Sequence, residues 1–162
     1  MTVIVDAVDF AVAAFRQDGG WQVAELTHDH AADVDSLASA LRRLPGDGGA
    51  VGMVAIDDDF FVVVRVSGSS TRVLLSDVTA ATEWELAASA VEFLGLPLPD
   101  DDVDEVEPAG ELDLLSDLGI AAVDLAVLLD DEEAYPDEVC SDIARRLGFG
   151  PLFDDAVGFT SA

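Results

Sequence analysis

His28 and His30 are the only two imidazoles in the chain, and side chains alternating in this way can reach a common ion. A zinc or iron centre wants three or four ligands. No third candidate stands nearby at a recognisable spacing, so His28-Asp29-His30 reads as a polar surface loop. Asp100, Asp102 and Asp104, with Glu111 eleven positions after Asp100, echo the calcium loop of an EF-hand. The echo fails at its sixth position, where Glu105 stands in place of the Gly that allows the sharp turn, and Pro108 intrudes. Cys140 is the single cysteine. It lies beside Val139 and Ile143 on the apolar stripe of a helix, with both histidines far upstream, so it reads as a buried structural thiol and not a nucleophile. Arg65 interrupts an apolar strand and Arg72 opens the strand after it. Ion pairing with local carboxylates explains that pair better than an anion site does in so negative a field. The turn Ser67-Gly68-Ser69-Ser70 lacks the Lys and the glycine spacing of a nucleotide loop, and no Gly-x-Ser-x-Gly elbow occurs. No catalytic residue, cofactor site or metal site emerges.

Charge is the unusual property. The 162 residues hold 34 acidic side chains against seven arginines and no lysine, a net charge of −27. Small domains carry roughly 2–8 charges of either sign. From Val73 to Ala144 there are 21 acidic residues and no Arg, Lys or His. Such a surface repels nucleic-acid phosphates and anionic membranes and attracts a basic protein or cations. Lys and Asn are both absent while Ala, Val, Asp and Gly abound, so a GC-rich genome or adaptation to high salt offers a compositional explanation for the same acidity. One cysteine rules out an internal disulfide. Met1 to Phe15 has no basic residue and contains Asp6 and Asp9, unlike a signal peptide. No run approaches the roughly 18 apolar residues of a membrane-spanning helix. A cytoplasmic protein is expected.

The length suits one domain or a domain with a small appendage, able to bury about 70% of its unfolded surface. Val3 to Phe15 is β-rich, and Gln17-Asp18-Gly19-Gly20 turns it into a second strand, Trp21 to Leu26. Asp33 is placed to cap a helix over Val34 to Leu44, whose stripe is Val34, Leu37, Ala38, Leu41 and Leu44. Strands follow over Ala50–Ile56, Phe60–Val66 and Thr71–Ser76. The middle one is apolar at both parities apart from Arg65, as expected of a strand covered on both faces. A second helix starts near Thr79 or Thr82, with Thr82 and Glu85 as a capping box and Gly95 at its end. Trp84, Ala87, Ala88, Val91 and Leu94 form its core stripe, widened by Leu86, Ala90 and Phe93.

Short links between strands favour hairpins, so the expected fold class is α+β. It is a mostly antiparallel sheet of about five strands in the order ββαβββα, with helices packed on it. Residues 1–96 would form this sheet domain, and residues 97–110 an acidic, proline-containing linker. Residues 111–162 would form a helical C-terminal module docked on the sheet domain. Within the last part, Leu112, Leu115 and Leu118 repeat every three residues up to Gly119, and Val123–Leu129 continues as a helix. After an acidic loop over Asp130 to Ala134, Pro136 opens a helix that runs to Leu147 and stops at Gly148. Phe149, Leu152, Phe153 and Val157 suggest a last short turn.

Several of these runs also identify the chain by likeness. Phe61-Val62-Val63-Val64-Arg65-Val66 with Arg72-Val73-Leu74-Leu75-Ser76-Asp77 resembles the tRNA adenosine deaminase-associated proteins of actinobacteria. So do Leu114-Leu115-Ser116-Asp117-Leu118-Gly119-Ile120, Tyr135-Pro136 and Ile143-Ala144-Arg145-Arg146-Leu147-Gly148-Phe149-Gly150. The resemblance covers most of residues 50–157 and implies an accessory to the deaminase rather than the enzyme. The deaminase's His-x-Glu and Pro-Cys-x-x-Cys zinc signature is missing here. On this reading the protein is a non-catalytic, acidic interaction partner, and the candidate contact residues are Asp100, Asp101, Asp102, Asp104, Glu105, Glu107, Asp130, Asp131, Glu132 and Glu133. The expected partner is a basic protein, the deaminase itself, with no direct nucleic-acid or membrane binding. Two alternatives remain: a small metal-dependent or hydrolytic enzyme using the Asp/Glu clusters, and an acidic structural domain whose charge reflects genome or salt adaptation.

Overall fold

The computed structural model describes residues 8–17, 19–26, 33–44, 49–56, 60–67, 70–82, 84–96, 108–130 and 135–157. Six strands form one antiparallel sheet: β1 (Val8–Gln17), β2 (Gly20–Glu25), β3 (Ala50–Ile56), β4 (Phe60–Ser67), β5 (Ser70–Leu75) and the two-residue β6 (Ala109–Gly110). Their order across the sheet is β2-β1-β3-β4-β5-β6. The α+β class and the hairpin connections are as the sequence implies, with a sixth strand added. Five helices accompany it among the described residues: α1 (Val34–Arg42), α2 (Glu85–Phe93), α3 (Ala122–Leu129), α4 (Pro136–Leu147) and α5 (Gly150–Val157). Two 3₁₀ segments, Val78–Thr82 and Leu112–Leu118, lie between them.

The alternation of strand side chains splits the core into two layers. Ala13, Val54, Val62, Val64 and Leu75 point to one face, where Leu37 and Leu41 of α1 and Leu86, Ala87 and Val91 of α2 cover them. Val12, Met53, Phe61, Val63 and Leu74 point to the other, where Leu114, Leu115, Leu125, Ile143, Phe149 and Phe153 cover them. All of β3, and β4 up to Val66, are therefore buried. This accounts for the run of apolar residues at both parities. Cys140 is fully buried in the second layer.

Local signals set the helix ends. Asp33 accepts a hydrogen bond from the Ser36 amide at 2.7 Å and caps α1, which stops at Arg42, two residues short of the expected Leu44. The N-cap residue of α2 is Trp84, not Thr82. Trp84 precedes α2 without a side-chain cap, and it is Asp77 that caps the 3₁₀ segment before it, accepting from the Thr79 amide at 2.9 Å. Phe93, expected to widen the buried stripe of α2, is instead 43% exposed, while Val91 and Leu94 beside it pack into the core. The leucines at 112, 115 and 118 repeat every three residues because they lie on a 3₁₀ helix, whose period is three. Glu138 accepts from the Tyr135 amide at 3.0 Å at the start of α4, Pro136 occupies its first turn, and Gly148 ends it with φ +112°. Residues 150–157 form a full helix rather than a turn.

Ala109 and Gly110, assigned to the linker by sequence, instead pair with Leu75 and Leu74. Gly110 holds φ +124°, and a Cβ there would fall 2.2 Å from the Val73 carbonyl oxygen, so only glycine lets the two backbones come this close. Replacing Gly110 by Ala should cost about 1–3 kcal/mol in denaturant unfolding. A change below about 0.5 kcal/mol, the size of an ordinary surface substitution, would contradict the placement. Phe153 is fully buried with its ring edge-on to Phe10 at 5.2 Å. Phe153→Ala should lose about 3–5 kcal/mol in one cooperative transition followed by tryptophan fluorescence. A small loss confined to the C-terminal helices would show that they do not share the core.

Candidate interaction surface

Arginine placement gives the molecule its polarity. β1 and β4 finish, and β2, β3 and β5 begin, at one end of the sheet. Arg16 stands near the end of β1, and Arg65 lies directly across from Arg72 on the neighbouring strand. Arg42 ends α1, with Arg43 its C-terminal cap residue, and the Arg42 guanidinium donates to the Thr71 hydroxyl at the start of β5. Arg145 and Arg146 occupy the last turn of α4, and the following Leu147 carbonyl accepts from Trp21 Nε1 at 3.0 Å. All seven cationic side chains thus gather at one end. At the opposite end, where β3 finishes and β4 begins, α1 starts beside Asp33 and Asp35.

The arginines at this end are largely structural. Arg65, 5% exposed, donates to both carboxylate oxygens of Asp117, at 2.8 and 3.1 Å, and to the Leu114 carbonyl at 3.3 Å. Arg72 faces Asp113 at 3.7 Å. These two pairs fasten the 3₁₀ segment to β4 and β5, so the ion-pair reading of Arg65 and Arg72 holds, with partners drawn from the C-terminal part of the chain. Arg145 and Arg146 share Asp142, at 3.0 and 3.5 Å. Arg16 lies over the Trp21 ring at 5.6 Å, a cation–π contact, and Trp21 packs in turn on Phe149. Between Arg16 and Trp21 on one side and Arg65 and Leu118 on the other is an indentation of about 20 Å³, room for about one water molecule.

Most of the other sequence candidates lie outside the described residues. Glu111 is exposed, whereas His28, His30 and the Asp100–Asp104 stretch lie outside the described residues. Of the ten candidate contact residues only Asp130 is described, exposed at the C-terminal cap of α3. Asp100, Asp101, Asp102, Asp104, Glu105, Glu107, Asp131, Glu132 and Glu133 lie outside. Among the described residues, no three His, Cys, Asp or Glu side chains converge to hold a metal ion. No helix there is long and apolar enough to cross a membrane. The sequence gives no hint that Arg65 meets Asp117, 52 residues away; only the strangeness of an arginine in a buried strand marks it.

The Arg65 guanidinium holds the Asp117 carboxyl below its ordinary range, chiefly through their hydrogen bonds, with burial opposing. A folded-state pKa below the unfolded one stabilises the fold above the unfolded value and loses that contribution as pH falls through the folded one. Asp117→Asn should therefore destabilise by about 1 kcal/mol at neutral pH, the upper end for an exposed carboxylate because its cation is buried. The gap to wild type should close as the solution is acidified below about pH 4. A gap that persists unchanged at low pH would show that the Asp117 charge does not act.

The profile of the Rv3753c-like tRNA adenosine deaminase-associated proteins matches residues 9–150. Protein Rv3753c of Mycobacterium tuberculosis is 37% identical over 142 residues, spanning 86% of this chain and 82% of that protein. No solved structure matches the chain. By the extent of both matches, the chain belongs to the Rv3753c-like tRNA adenosine deaminase-associated protein family.

Proposed function

We propose that the protein is a non-catalytic partner of tRNA adenosine deaminase that meets the enzyme through its acidic surface. The family description supports the association, and the charge pattern supports the mode. An enzyme that holds tRNA must neutralise phosphates with Lys and Arg. A protein with 21 acidic and no basic residues from Val73 to Ala144 is complementary to such a surface. With its seven arginines drawn to one end of the sheet, four of them bonded to carboxylates, the rest of the molecule presents a negative field with little interruption. Docked there, it regulates the deaminase or competes with tRNA by mimicking its charge. On this reading the fold acts as a scaffold for that surface.

A titration of the purified deaminase with this protein, at low and at moderate salt, tests the reading. The expected result is a one-to-one complex that weakens steeply as salt rises, because exposed charges more than about 10 Å apart are screened at 0.1 M. Absence of a complex at low salt would refute it.

A further inference from the structure

Helix α3, Ala122–Leu129, is out of keeping with its surroundings. Its sequence is apolar at every position but Asp124, yet only Leu125 is fully buried. Val123 and Val127, one turn apart on the same face, are 68% and 65% exposed, the most exposed large apolar side chains among the described residues. A helix apolar all round belongs inside a larger core. Nor is α3 secured at its ends. Ala121 provides no side-chain cap, and Asp130 sits at the C-terminus, where the helix dipole disfavours a negative charge. Asp131, Glu132 and Glu133 follow it in sequence, adding three more acidic residues after the same end.

We propose that the outer face of α3, centred on Val123 and Val127, is where the deaminase docks, through an apolar patch ringed by lysines or arginines. This inference rests on the association proposed above and names the surface that carries it. Exposed acids border the valines on the helix itself at Asp124 and Asp130, whereas Asp113 and Asp117, on the 3₁₀ segment packed against α3, are already held by Arg72 and Arg65. An apolar centre with a charged rim is the ordinary anatomy of a protein interface. A basic rim on the partner would relieve the acidic C-terminus of α3 while the valines leave water. A second copy of this chain does not fit, since it would set acidic rim against acidic rim. Anionic lipid and RNA are repelled for the same reason.

The test uses the full chain carrying Val123→Ser and Val127→Ser together, with Leu152→Ser, another exposed apolar position (43%), as the control. Serine and valine have similar helix propensities, so the double variant should unfold at the wild-type midpoint or above it. Titrated against the deaminase at low salt, it should bind about tenfold or more weakly than wild type, while the Leu152 variant binds as wild type does. Equal binding by wild type and the double variant would overturn the docking face and leave the association standing. No binding by wild type would remove both. Sedimentation that shows a dimer of wild type, dissolved by the double variant, would assign the face to a second copy and overturn the inference in that way.

Discussion

The constraint on which the structure depends is that its sheet must be covered on both faces. In β3 and β4 every residue from Ala50 to Ile56 and from Phe60 to Val66 is buried, so neither face can be left to water. The covering helices come from different parts of the chain: α1 and α2 for one face, the segment from Leu112 onward for the other. Hydrophobic burial at about 25 cal/mol per Å² is lost wherever a layer lifts away, and the C-terminal helices share one buried cluster with the strands they cover. Arg65 shows the cost of that arrangement at its margin. Its strand position puts a guanidinium at the edge of the second layer, and a buried cation needs a partner. Asp117 provides it, and the pair fixes the 3₁₀ segment that leads into α3.

Having spent most of its apolar residues on two interior layers, the chain leaves an outer surface on which carboxylates far outnumber cations. Seven arginines cannot offset 34 acids. Placing all of them at one end of the sheet concentrates what neutralisation there is. Two results follow from the same geometry. Four of the arginines at that end are bound to the molecule's own carboxylates, and the negative field over the remaining surface is available to a cationic partner. Where that field surrounds exposed valines on α3, long-range attraction and short-range apolar contact coincide.

Much of this architecture was legible in the residues, and the parts that were not share a cause. Period-two and period-3.6 patterns located β2 to β5 and the main helices. Asp33, Pro136 and Gly148 marked helix ends by mechanisms that act within one turn. β6 was invisible because Ala109 and Gly110 contribute only backbone to the sheet, and the signal at Gly110 is a close approach rather than a pattern. Thr82 and Glu85 met the spacing of a capping box, but the packing of the preceding 3₁₀ segment gave the start of α2 to Trp84. As for the interaction surface, composition announced the acidity, whereas the segregation of the arginines and the outward face of α3 depend on strand register and layer packing. Nothing in the sequence marks Val123 and Val127 as exposed; that depends on a helix whose only fully buried residue is Leu125.

The central claim is that the acidic, α3-bearing part of the molecule, and not its arginine end, meets the deaminase. Amide hydrogen exchange of this protein with and without saturating deaminase tests it most directly. The account predicts added protection over residues 122–130 with little change at Arg42, Arg43 and the start of β5. Protection that instead centres on the arginine end, with α3 exchanging as it does in the isolated protein, would contradict it.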